Sequence, residues 1–248
     1  DQPRSRGLGD VYKRQVQESA VKPIEPVFLD YQKDMSQLKA KSDIPILYKQ
    51  NVANDLFQLI YVFDMGNNHD KALGTAFDYL EYLGTSDMTP EELKSEFYRL
   101  ACTFYVSPGN ERTYVVLSGL NENMPAAMQL FEKLLADAQV NKEAYNNLVG
   151  DILKARADAK LNQGQNFSRL MNYAMYGPKS PATNLLTEAE LASMNPQELV
   201  DRIHNQNNYK HRILYYGPSS SKDLLATIEQ YHQVPATLKD IPAGNEYS

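Results

Sequence analysis

The chain is short of the residues that most chemistry needs. Cys102 is the single cysteine among 248 residues, so no intramolecular disulfide, zinc ribbon or paired redox centre can form. One cysteine suits a periplasmic protein and a cytoplasmic one equally. No run of about 18 apolar residues occurs, which excludes a membrane-spanning helix. A basic surplus is also missing: the formal net charge is −6, the opposite of a nucleic-acid footprint. Gly74 and Gly84 flank a helix rather than open one, so no phosphate-cradling loop is present, and Gly-x-Ser-x-Gly is absent. Cys102 lies beside a strand start with no placed histidine, a setting for core packing rather than for a nucleophile. The four histidines, His69, His204, His211 and His232, nowhere form an i, i+4 pair. They read as surface residues, His204 and His211 bracketing a helix end and a strand start.

What is present is enough apolar residue, 42%, to bury one sizeable core. Between Lys71 and Thr85, Leu73, Ala76, Phe77, Leu80 and Leu83 recur at helical spacing, so one face of a helix seeks that core. Asp70 is placed to cap its start, and Gly84 falls where a left-handed C-terminal cap usually sits. Thr89-Pro-Glu-Glu92 is a second helix start, with a capping Thr, a first-turn Pro and a Glu at the third position. Asn123 to Ala138 and the more polar 142–161 are predicted helices. Shorter ones follow at 170–176, 187–192 and from Asn195, and a last one runs from Ser221 to Tyr231.

Strands are expected at 44–49 and 56–63, which together read as a hairpin. The stretches 103–106 and 113–117 read as another hairpin around Ser107-Pro-Gly-Asn110, and 212–216 is a late strand. There is no alternating βαβ regularity and no internal repeat. The expected fold is α+β, a mainly antiparallel sheet with helices packed on one side.

The expected organisation has four parts. Residues 1–15 read as a non-native tail, their ending resembling translated read-through of a sequencing adapter; a disordered basic tail is the alternative. On the first reading the natural N-terminus is lost. Residues 16–43 form a linker, 44–232 a single domain, and 233–248 a linker to a missing domain.

Three stretches in this order resemble a domain of the pitrilysin/insulinase-type zinc metallopeptidases. They are Asp78 to Thr85 followed by Thr89-Pro-Glu-Glu-Leu93, the hairpin around Tyr105 and Tyr114, and Asn208 to Pro218 ending Tyr-Tyr-Gly-Pro. Active members of that family carry H-x-x-E-H on the first helix and a further Glu on a later one. Two imidazoles on one helix face hold zinc, while the Glu activates water. Counting back from Gly84-Thr85, the matching positions are Thr75, Asp78 and Tyr79, and the later carboxylate falls near Asp151. Thr and Tyr cannot replace two imidazoles at such a site.

The resemblance therefore implies a metal-free domain of the C-terminal half of a larger zinc-dependent oligopeptidase. This chain alone is expected to be inactive, with no catalytic, cofactor-binding or metal residue of its own; zinc belongs to the catalytic half of the parent protein. The implied partners are a peptide substrate and that catalytic half, on the same polypeptide or on a separate peptidase chain. Tyr79, Tyr82, Tyr98, Tyr105 and Tyr114 could line a peptide-binding wall or be half-buried sheet residues. The alternatives are a metal-free interaction subunit paired with a separate catalytic chain, and an unrelated α+β binding module.

Overall fold

The computed structural model describes Pro26, Phe28 and residues 30–247; the expected read-through tail lies outside the described residues. The chain divides into two compact units, Asp1–Asp34 and Met35–Ser248. In the first, Asp34 N–H donates to Asp30 O at 2.7 Å to close a turn. The second unit holds the sheet and the helices.

Its strands are β1 (Ser36–Lys39), β2 (Pro45–Gln50), β3 (Leu56–Phe63), β4 (Cys102–Pro108), β5 (Thr113–Leu120) and β6 (Arg212–Gly217). Its helices are α1 (Leu73–Leu80), α2 (Pro90–Arg99), α3 (Met124–Asp137), α4 (Lys142–Leu161), α5 (Gln163–Tyr176), α6 (Glu188–Ser193), α7 (Pro196–Asn205) and α8 (Ser221–Tyr231). The strands form one sheet in the order β1-β2-β6-β3-β5-β4. Only β2 and β6 run parallel, so the sheet is mixed but mainly antiparallel. Helices pack on one face of it, as expected.

The local signals hold where both partners are close in sequence. The β4–β5 hairpin forms with Tyr105 opposite Val116. Thr89 and Glu92 close a reciprocal capping box at α2. The expected β2–β3 hairpin does not form. β6 inserts between the two strands, pairing Ile46 with Ile213 on one side and Ile60 with Leu214 on the other. Its apolar residues fill the middle of the sheet, and Tyr215 stacks on Tyr48 with centroids 5.7 Å apart. The turn at 51–55 therefore spans a strand rather than a tight loop.

β1 forms within the stretch expected to be a linker, pairing Ser36 to Lys39 with Tyr48 to Pro45. The stretch after α8 lies along the body in extended form: Lys239 N–H donates to Asn208 O at 2.7 Å and Asn245 N–H to Asn68 O at 2.8 Å. α5 starts earlier than its apolar spacing suggested, because Asn162 Oδ1 accepts from Gln165 N–H at 3.0 Å and caps it.

Phe57, Leu59, Tyr61 and Phe63 project from β3 into the core under the helices. The alternate residues face the other way, where the period of two brings Ile60, Val116, Leu214 and Tyr105 into one row. Val62 and Val116 on this second face are buried yet lie outside the continuous core. Asp64 closes the end of the face by accepting from both Arg112 and Arg212. The Arg212 guanidinium, then Arg112, holds its carboxyl below the usual range, against the opposing effect of partial burial.

Candidate functional site

α1 is an eight-residue helix whose Leu73, Ala76, Phe77 and Leu80 enter the core. Asp70 Oδ1 accepts from Ala72 N–H at 3.0 Å just ahead of it, close to the expected capping role. The helix ends at Leu80, earlier than expected. Gly84 is not a left-handed cap: among the described residues the glycines with positive φ are Gly119 and Gly177. Glycine is required at 84 because a Cβ there would lie 2.3 Å from Met88 O, in a loop closed by Thr85 N–H donating to that carbonyl.

The three positions matching the zinc motif share this helix but no common environment. Thr75 is half-buried and Asp78 is exposed. Although the residue reaches solvent, the protein atoms packed around its carboxyl, then Glu81, raise it above its ordinary value. Tyr79 is fully buried. Its hydroxyl donates to Asn141 O at 2.6 Å and accepts from Asn141 N–H at 2.8 Å. Asn141 in turn caps α4, accepting from Ala144 N–H at 3.1 Å. Tyr79 also meets Tyr145 edge to face at 5.8 Å. Asp151, further along α4, is exposed.

A zinc site of the peptidase type needs two imidazoles and a carboxylate converging on one point. Here one position is a phenol, buried and committed to backbone, and another is a hydroxyl. The residues present do not fit that metal. Among the described residues no three His, Cys, Asp or Glu side chains are arranged to hold a metal ion.

The five tyrosines of the expected wall divide three ways. Tyr79 is interior. Tyr82 and Tyr98 stand at a cavity of about 540 Å3 between α1, α2 and β4, whose floor includes Phe97, Phe104 and Val106. Tyr105 and Tyr114 project from the second face of the sheet. β4 is an edge of the sheet, so its outward N–H and C=O groups lie beside this cavity.

Cys102 is buried, as its position suggested, and burial pushes its thiol above its ordinary value. Two histidines correct the expectation of surface residues. His211 is 6% exposed and His232 is fully buried, their rings meeting beside Tyr61 and Glu132. The only sequence signal for this cluster is Glu132 within the apolar face of α3, where a charge calls for a partner. His204 is half-buried against Ala138 O at 3.1 Å, and half-buried His69 accepts from Gly66 N–H at 3.1 Å.

No protein-family model and no curated protein matches the sequence. Solved structures do match the fold. The periplasmic protease PqqL from Escherichia coli superposes with a TM-score of 0.73 at 14% identity, over 96% of this chain and 29% of that one. The ferredoxin protease FusC, solved as a mutant in complex with Arabidopsis ferredoxin, gives 0.73 at 12% identity over the same shares, 96% and 29%. An inactive domain of peptidase M16 from Pseudomonas fluorescens gives 0.72 at 16% identity, over 86% of this chain and 54% of that one. The chain thus spans less than a third of PqqL and of FusC, and about half of the inactive-domain protein. At these identities it is the architecture that is shared, and the chain has the fold of an M16, or pitrilysin/insulinase-type, peptidase domain.

Proposed function

We propose that this chain is a metal-free domain of a larger zinc-dependent oligopeptidase, belonging to its C-terminal half, where it helps enclose the substrate chamber and binds peptide. The observation that carries the reading is Tyr79. In the position of a zinc-binding histidine it has become a structural strut between α1 and α4. A helix that keeps its place in the core while its metal positions turn to packing has a scaffold role. Catalysis then belongs to another domain of the parent protein.

Peptide recognition is assigned to the β4 edge and the adjoining cavity. An extended peptide pairing with β4 would satisfy main-chain groups, and its alternate side chains would point at Phe97, Tyr98 and Phe104. Zinc analysis and peptide-cleavage assays on the purified chain test the first part. For the second, fluorescence anisotropy with an extended apolar peptide should show binding that Tyr98→Ala and Phe104→Ser weaken together. Binding unchanged by both would reject the assignment.

The partner is assigned to α5. None of its residues is buried, and Phe167 and Leu170 are each 63% exposed on one side of it. Such a stripe marks a surface that another part of an assembly covers. It supports docking to the catalytic half, on the same polypeptide or on a separate chain, and the complete reading frame decides between them.

A further inference from the structure

Three ionisable side chains from distant parts of the chain meet in the interior with their hydrogen bonds nearly all specified. Glu132 of α3 is 1% exposed and accepts from four donors. Oε1 receives Tyr61 Oη–H at 2.9 Å and His232 Nδ1–H at 2.6 Å. Oε2 receives Asn207 Nδ2–H at 3.0 Å and Gln233 N–H at 3.1 Å. Tyr61, Asn207 and Gln233 can each donate, and a carboxylate has room for a fourth donor, so a proton on His232 Nδ1 satisfies every group at this end. At the other end, His211 Nδ1 lies 2.7 Å from Tyr209 O. A carbonyl only accepts, so this nitrogen also carries a proton.

Both Nδ1 protons are then committed. Two neutral imidazoles would each leave Nε2 as a bare lone pair, yet the two Nε2 atoms are 2.9 Å apart. The ring centroids are 5.1 Å apart with the planes nearly perpendicular, as two rings meeting nitrogen to nitrogen require. Bare lone pairs at that distance repel. A proton between them makes the contact a hydrogen bond and balances the Glu132 charge in a site with almost no water to do so.

We propose that one shared proton on the His211–His232 line acts as a latch, holding the start of β6 and the segment leaving α8 against α3, so that loss of that proton loosens the segment at Gln233. The latch joins residues far apart in sequence, Glu132 and Gln233 being 101 positions apart, and adds to the bond that Ser42 Oγ–H donates to Pro235 O at 2.6 Å. The extended stretch that follows, tied at Lys239 to Asn208 and Lys210, leads away from it.

The other groups around the pair leave the proton little alternative. Burial, then the Glu132 charge, raises the Tyr61 phenol well above its ordinary value, so it remains a donor. His204 of α7 lies with Glu132 at a small cavity on the far side. His211 borders a second cavity whose charged residues are Asp43, Asp64, Lys210, Arg212 and Asp240. Each of these is already paired: Asp43 with Lys39, Asp64 with Arg212, and Lys210 with Asp240.

Long-range proton–nitrogen NMR of the imidazoles in the isotope-labelled 248-residue chain tests the proposal without any substitution. Near neutral pH the expected result is His211 protonated at Nδ1, and one slowly exchanging proton bonded between the two Nε2 atoms. On raising the pH that signal should vanish. The backbone amides of Gln233 and Lys239 should shift with the same midpoint. Two singly protonated, neutral rings with no bridging proton would overturn the proposal, as would loss of the bridging signal while the Gln233 amide stays unmoved. Glu132→Gln, which removes the balancing charge, should abolish the bridging proton; its persistence there would also count against the latch.

Discussion

The Tyr79 hydroxyl makes two hydrogen bonds to one residue, donating to Asn141 O at 2.6 Å and accepting from Asn141 N–H at 2.8 Å. This pair joins α1 to the cap of α4. Tyr79→Phe removes both bonds; Asn141 O keeps the Tyr145 N–H at 3.0 Å as a donor, so the loss is that of ordinary hydrogen bonding, about 0.5–1.5 kcal/mol. Urea denaturation should show that loss. A variant as stable as the parent chain would mean that the strut carries no weight.

His211 gives a pH dependence with a definite sign. Burial, with His232 beside it, lowers the His211 imidazole to about 4 from the ordinary 6.5. The unfolded chain therefore takes up that proton first. The contribution of this group should be fully present above about 6.5 and be lost as pH drops toward 4, by up to ~1.4 kcal/mol per pH unit. His211→Gln should flatten that part of a stability–pH curve relative to the parent chain. Identical slopes would show that this histidine is free to protonate in the folded state.

Gly119 sits at φ 151°, and a Cβ there would lie 2.4 Å from Ala101 O and 2.7 Å from Cys102 Sγ. Gly119→Ala should destabilise the chain by at least about 1–3 kcal/mol, from backbone strain alone. A thermal scan checks this. An unchanged melting temperature would mean that the β4–β5 end can open without cost.

On α5, Leu170→Gln should leave stability within about 0.5 kcal/mol, because the residue touches little of the fold. The same change should reduce self-association of the isolated chain, measured by sedimentation. Lost stability would place α5 in the domain's own core and remove it from the partner surface.

What was legible in the sequence was local. Thr89 and Glu92 lie three positions apart, and the β4–β5 turn joins neighbours, so capping and turn chemistry were enough. β6 was found as a strand, but nothing in Leu214 or Tyr215 says that it displaces β3 from beside β2. That choice depends on packing across about 150 residues of chain. The histidines failed for the same reason. His211 and His232 are 21 positions apart, and Glu132 is 100 from His232, so no spacing rule links them. Gly84 shows a subtler miss: the glycine was needed, but for a close carbonyl rather than for a left-handed turn. The residue types at 75, 78 and 79 were legible from the sequence itself. That Tyr79 had become a strut was not, because Asn141 lies 62 positions away.

The central claim is that this domain keeps the scaffold of a zinc peptidase without its metal. Elemental analysis of the purified chain after zinc loading and dialysis, with peptide hydrolysis followed in the same sample, tests it most directly. The account predicts far less than one zinc per chain and no turnover. One tightly held zinc per chain with peptide cleavage would contradict it.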